Sequence, residues 1–256
     1  MAIKLKCLFF TLCSLVICVI LAVRIEVIIQ LPGTEQLTMP WYRDYYKTSS
    51  GFYGQIVVDL NTEANQHVAE FEERIQALAD VNPDVIGWIR SDGFALDYPV
   101  LYSEDNKKYL RTNLYGEYDV TGEIYLDANY DEQFSPVKLI HGHNMRNGTM
   151  FANLPQMLEW ETLDDADLIE IYDFTGLKTY KIISVYSVNS EEESVIVDQL
   201  TSLDDLKKLK DEYLERSWVP VSEVPRGIEM LMLNTCWYGP TGDQRHLHCI
   251  VVAVRV

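Results

Sequence analysis

Leu231-Met232-Leu233-Asn234-Thr235-Cys236 and His246-Leu247-His248-Cys249-Ile250-Val251-Val252-Ala253-Val254 are the two runs that decide the fold. Each is short, rich in apolar and β-branched residues, and bounded by turn residues, Gly239-Pro240-Thr241-Gly242 between them. That pattern reads as strands joined by a loop. Moving upstream, the same texture recurs at Val85–Ile89, Tyr98–Tyr102, Glu123–Leu126, Val137–His141, Leu168–Tyr172 and Tyr180–Val188, and Phe174-Thr175-Gly176 reads as a hairpin turn. Only two stretches carry helical periodicity. In 63–80, Val68, Phe71, Ile75 and Leu78 form an apolar stripe opposite Glu70, Glu72, Glu73 and Arg74, and Asn82-Pro83 ends it. In Leu203–Arg216, Ser202 serves as N-cap and Leu203, Leu206, Leu209, Tyr213 and Leu214 form the stripe. Eight short strands with flanking helices predict a mainly β protein, a closed or nearly closed β-barrel.

The first part of the chain has a different composition. Residues 7–23, CLFFTLCSLVICVILAV, form an uncharged apolar run of 17, the short end of what spans a bilayer. Lys4 and Lys6 precede it, so the positive-inside rule keeps residues 1–6 cytoplasmic and sends the body outside. The expected organisation is a signal anchor over 7–29, a Pro- and Gly-punctuated stalk over 30–62, and a catalytic domain over 63–256, in a single-pass protein of the cell membrane. Ile20–Arg24 offers no small-x-small cleavage site, which favours an uncleaved anchor over a signal peptide. Net charge is −18, and every one of the 39 acidic residues lies after residue 24. Such a surface excludes a nucleic-acid partner. Of five cysteines, Cys7, Cys13 and Cys18 fall in the apolar run; Cys236 and Cys249 alone belong to the body, too few for a disulfide framework.

Three residues end or begin apolar strands where side chains can face a cleft and still be held rigidly: His143, just past Gly142; Cys236; and Arg245, nine residues further on. A thiolate is the nucleophile, an imidazole can take and return its proton, and a guanidinium that keeps its charge can clamp a carbonyl as it becomes an oxyanion. The trio suits acyl transfer through a thioester. Taken singly, each has a plainer reading as a buried small residue, an exposed or structural histidine, or an ordinary ion-pair partner. His141-x-His143 and His246-x-His248 could suggest metal pairs, but no ligand set at zinc spacing accompanies them, and no metal or cofactor is expected.

From Asn82 to the C-terminus these segments together resemble the sortases, and class B most closely. The residues that carry the likeness are Asn82-Pro83-Asp84-Val85-Ile86-Gly87-Trp88-Ile89; Tyr98-Pro99-Val100; Asp105-Asn106 with Tyr109-Leu110; His141-Gly142-His143-Asn144-Met145 with Gly148-Thr149-Met150-Phe151; and Thr235-Cys236 with Arg245. The resemblance implies a barrel of about eight strands and an extracellular, Gram-positive setting. It implies Cys236 as nucleophile, His143 as acid/base and Arg245 as electrostatic partner, with Asn144, Thr235 and Asp243 in supporting places. It also implies partners: surface proteins with a C-terminal sorting motif, and an amine acceptor such as a peptidoglycan precursor or a pilin lysine. Asn234 and the 237–244 loop depart from the class B pattern, which leaves the sorting motif open. An L,D-transpeptidase would place Ser-x-Gly before its cysteine, and neither Cys236 nor Cys249 has that context. An inactive membrane-anchored scaffold is the rival from outside enzymology.

Cys249 is expected to be an unreactive core thiol, set some 13 Å from the catalytic centre at ~3.3 Å per residue from Arg245.

Overall fold

The computed structural model describes residues 63–130, 135–164, 166, 168–197, 200–242, 244 and 246–256. The expected anchor, stalk and cytoplasmic N-terminus therefore lie outside the described residues, as do Asp243 and Arg245. Among the described residues no helix is long and apolar enough to cross a membrane.

Helix α1 spans Glu63–Ala79 and α2 spans Leu203–Arg216. The strands are β1 (Val85–Ser91), β2 (Leu96–Tyr102), β3 (Ile124–Leu126), β4 (Val137–His141), β5 (Ile169–Asp173), β6 (Gly176–Asn189), β7 (Met230–Cys236) and β8 (Leu247–Arg255). They close into one barrel in the order β1-β2-β3-β4-β7-β8-β6-β5. Two neighbouring pairs, β2 with β3 and β4 with β7, run parallel. Closure removes free sheet edges, which explains how such short strands are stable. Between β2 and β3 the residues around Tyr109 and Leu110 make only a 3-10 turn, Lys108–Leu110. The turn at 174–175 pairs Asp173 with Gly176, whose φ of +112 suits glycine.

Register assigns each residue to a face. Directly paired residues share a face, so Lys138, Ile140, Leu231, Leu126, Val100 and Tyr180 lie on one side of the closed sheet. They converge on a single cavity of about 290 Å³, which identifies that side as the barrel interior. The opposite parity, with Leu139, His141, Met232, Asn234, Ile250 and His248, is the outer face.

The helices cover two sectors of that outer face. Phe71 and Ile75 of α1 bury against Val85, Trp88, Leu101, Tyr125 and Tyr172, with the Phe71 and Tyr172 rings stacked at 4.0 Å. Leu206 and Tyr213 of α2 join the main core over β6 and β7, where Ser184 Oγ donates to the Tyr213 carbonyl at 2.6 Å. Ser202 caps α2 by accepting from the Asp205 N–H at 3.2 Å, and Asp204 and Asp205 at its start and Arg216 at its end oppose the helix dipole. The last residues of β4 and β7 carry polar side chains, His141 and Asn234, side by side on the outer face.

Cys249 corrects the expected reason for its inertness. It is fully buried and free, as expected, but it pairs directly with Thr235, one register step from Cys236. Distance does not separate the two thiols; strand alternation does, because Cys236 faces outward and Cys249 faces the interior. The sequence argument measured from Arg245 along β8, whereas the cross-strand register brings Cys249 back beside β7.

Candidate active site

Parallel pairing of β4 and β7 sets His141 beside Asn234 and brings both strands to an end on the same rim of the barrel. Past that rim the histidine loop is sewn to β7 twice. Gly142 N–H donates to the Asn234 carbonyl at 3.1 Å, and Asn144 Nδ2 donates to the Cys236 carbonyl at 2.9 Å. His143 lies between those two ties, so the loop presents it at the strand end that carries Cys236. Gly142 is required by space: a Cβ there would come within 2.4 Å of Ile124 and 2.7 Å of the Phe151 ring. The loop closes on itself through the Asn144–Met150 bridge and a Phe151 N–H bond to the His143 carbonyl at 2.9 Å.

Cys236 is half-buried at the end of β7. Burial pushes its thiol above the ordinary value, and the positive charge of Arg111 opposes that rise. The nucleophile is thus mostly protonated near neutral pH and needs a base or a cation to expose its thiolate. Burial also lifts Cys249, to about 12, and no charge opposes it there. Trp237 N–H donates to the Leu247 carbonyl at 2.8 Å, which makes Cys236–His248 a non-hydrogen-bonded pair, the closer kind of cross-strand approach.

The two histidines, His141 at the end of β4 and His143 in the loop, have different surroundings. His141 is held on both nitrogens: Nε2 donates to Asp127 Oδ2 at 2.8 Å, and Nδ1 accepts from Asn234 Nδ2 at 3.0 Å. The row continues, because His248 Nδ1 donates to Asn234 Oδ1 at 2.7 Å. Asp127 is 2% exposed and also accepts from Asn106 Nδ2 and from the Asn129 amide. Burial raises its carboxyl, but the bonds from His141 and Asn129 outweigh it and hold the group below the usual range. His248 is pushed down by burial and by the charge of His141. His143 has no such cage. Its Nε2 stands 2.9 Å from the Leu110 carbonyl and 3.3 Å from Arg111 Nη1. A ring fixed on both nitrogens cannot exchange protons with substrate without breaking its bonds; a ring with one nitrogen uncommitted can.

Of the residues singled out from sequence, Cys236, His143 and Asn144 come together at this rim. Thr235 is 2% exposed on the interior face and turned away from it. The row Asp127–His141–Asn234–His248 and the guanidinium of Arg111 went unnoticed in sequence. Asp127, directly after β3, carried the same strand-end signal as Cys236; Arg111 carried none.

The sortase domain family matches residues 92–256. Sortase B of Listeria monocytogenes is 31% identical over 173 residues, covering 65% of this chain and 68% of that protein. Sortase B of Staphylococcus aureus is 25% identical over 175 residues, 67% of this chain and 71% of that one. Among solved structures, sortase B of Clostridium perfringens superposes with a TM-score of 0.64 at 28% identity, covering 71% of this chain and 98% of that chain. With a barrel of this strand order and a cysteine and histidine brought to one rim, the match over more than half its length means that this chain belongs to the sortase family of cysteine transpeptidases, on the class B branch.

Proposed function

We propose that the protein is a membrane-anchored transpeptidase that cuts a C-terminal sorting motif of a surface protein through a thioester on Cys236 and passes the acyl group to an amine. The observation that carries this reading is the pair of hydrogen bonds, Gly142 to Asn234 and Asn144 to Cys236, that fix a histidine with one uncommitted nitrogen at the strand end holding the thiol.

The thiol proton of Cys236 passes to His143, and the thiolate attacks the motif's scissile carbonyl. The C–N bond breaks and the imidazolium of His143 returns its proton to the departing amine. An acceptor amine then attacks the thioester, gives its surplus proton to His143, and releases the Cys236 thiolate. Arg245 clamps the carbonyl oxygen as it gains charge. Asn144 keeps the Cys236 carbonyl and the histidine loop in register, and Asp243 orients Arg245. The acceptor is a peptidoglycan precursor or a pilin lysine. Residues 7–29 anchor the chain, with residues 1–6 cytoplasmic and the domain over 63–256 outside, after a stalk over 30–62. The 22% identical Staphylococcus aureus sortase B–substrate complex shares the fold, with a TM-score of 0.64.

The test is to incubate the protein with peptides bearing varied sorting motifs and look for an acyl adduct by mass spectrometry. An adduct on Cys236 that disappears on adding an amine, with one ligated product, is the expected result. An adduct elsewhere, or none with any motif, sinks the reading.

A further inference from the structure

Arg111 belongs to no motif that marks the reaction, yet its guanidinium stands against the imidazole of the reacting pair. It follows the 3-10 turn Lys108–Leu110, and its main chain is pinned by the Asp119 N–H bond to its carbonyl at 2.9 Å. Arg111 Nη1 donates to the Val120 carbonyl at 2.5 Å, which tethers the exposed guanidinium beside the histidine loop. The same Nη1 lies 3.3 Å from His143 Nε2.

One ring nitrogen cannot serve both of its neighbours. To donate to the Leu110 carbonyl, Nε2 must carry a proton; to accept from Arg111 it must not. The carbonyl is nearer, 2.9 Å against 3.3 Å, so Nε2 keeps its proton and Nδ1 becomes the nitrogen that exchanges protons in the reaction. The guanidinium, kept off Nε2 by that proton, remains a fixed cation beside the ring. Its charge also reaches Cys236, where it opposes the upward push of burial on the thiol.

We propose that Arg111 is a positioning residue of the transpeptidase: tethered to the Val120 carbonyl beside a His143 ring whose Nε2 is committed to the Leu110 carbonyl, its guanidinium is a fixed positive charge at the rim that favours the Cys236 thiolate. The proposal rests on Cys236 and His143 as the reacting pair. Charge rather than shape carries the effect on the thiol, and an exposed guanidinium acts through water, so the effect is modest and screened by salt.

The test reads the thiol itself. In the full-length protein, alkylation of Cys236 by iodoacetamide is followed against pH by mass spectrometry of its peptide, at low and at high salt. Arg111→Gln is expected to move the profile up by about half a pH unit, roughly threefold slower labelling on its acid side. Arg111→Lys is expected to keep most of the wild-type profile, and about 1 M salt is expected to merge all three. An Arg111→Gln profile that coincides with wild type, an Arg111→Lys profile that follows Arg111→Gln, or a shift indifferent to salt each overturns the proposal. A Cys236→Ala control keeps the two readings apart. Transpeptidation persisting there sinks the catalytic pair, whereas an unshifted Arg111→Gln profile sinks the role of Arg111 alone.

Discussion

Cys236 and Cys249 sit on neighbouring antiparallel strands, one register step apart, and differ in almost every chemical respect. Cys236 ends its strand on the outer face, half-exposed, within reach of the Arg111 charge and next to a loop that bears a histidine. Cys249 lies in mid-strand on the interior face, fully buried, its thiol pushed up to about 12. The alternation of a β-strand puts them on opposite faces. A thiol becomes a nucleophile here through its face and its place at the strand end, and the neighbouring thiol one step away becomes packing.

The sharpest way to break that comparison is to remove each thiol in turn. Cys236→Ala is expected to abolish transpeptidation while the thermal melt stays close to wild type. Cys249→Ala is expected to retain activity and lose about 1–2 kcal/mol of stability, the cost of a small buried cavity. Iodoacetamide should label Cys236 in the native protein and Cys249 only after unfolding. Activity that survives Cys236→Ala, or native labelling of Cys249, would reverse the assignment of faces.

His141, which ends β4, and His143, in the loop beyond it, repeat the lesson at smaller scale. His143→Ala is expected to cost at least about 10²-fold in kcat/KM, as for a lost acid/base. His141→Ala is expected to cost less than about tenfold in rate, and about 1–3 kcal/mol in stability, since Asp127 would lose a buried hydrogen-bond partner. A urea melt and a rate on each variant separate the two. Essential His141 with dispensable His143 would move the proton chemistry onto the Asp127 row.

The smallest effect concerns acid. The Asp127 carboxyl is held down in the folded protein, so its contribution is present above the ordinary carboxylate range and is lost as pH falls through the lower folded value. His248 acts in the same direction but earlier: its folded value lies below the ordinary 6.5, so the folded state loses ground once the unfolded histidine starts to protonate. Stability should therefore decline in two stages, first below about pH 6.5 and again below about pH 4. Asp127→Asn should be less stable at pH 7, and its deficit should narrow in the second stage alone. A deficit constant from pH 7 to pH 3 would show that Asp127 acts only through shape.

Much of this architecture was open to reading because short-range signals agreed. Val137–His141 emerges with the ends that its β-branched and apolar content predicts, and Leu203–Arg216 with both ends and the Ser202 cap. In β6 the strand begins at Gly176, at the hairpin turn itself, well before the apolar run at Tyr180 that advertised it, because pairing with β5 extends it. Tyr109-Leu110, which carries no helical periodicity in sequence, forms one 3-10 turn, long enough to bury Tyr109 and to set Leu110 and Arg111 against the histidine loop.

The sequence by itself determined that the chain alternates short strands with two amphipathic helices, that its body is acidic, and that a histidine and then a cysteine lie where strands run out, in a sortase-like order. Those are local properties, set by periodicity, turn chemistry and charge. Only the tertiary structure decided that Cys249 stands beside Thr235 rather than far from Cys236, that Asp127, His141, Asn234 and His248 join into one row, and that Arg111 reaches His143. Each of these depends on the barrel's register, in which β4 pairs with β7 across some ninety intervening residues. Cross-strand registers of that separation are fixed by packing and closure of the whole sheet, which no local run of residues encodes.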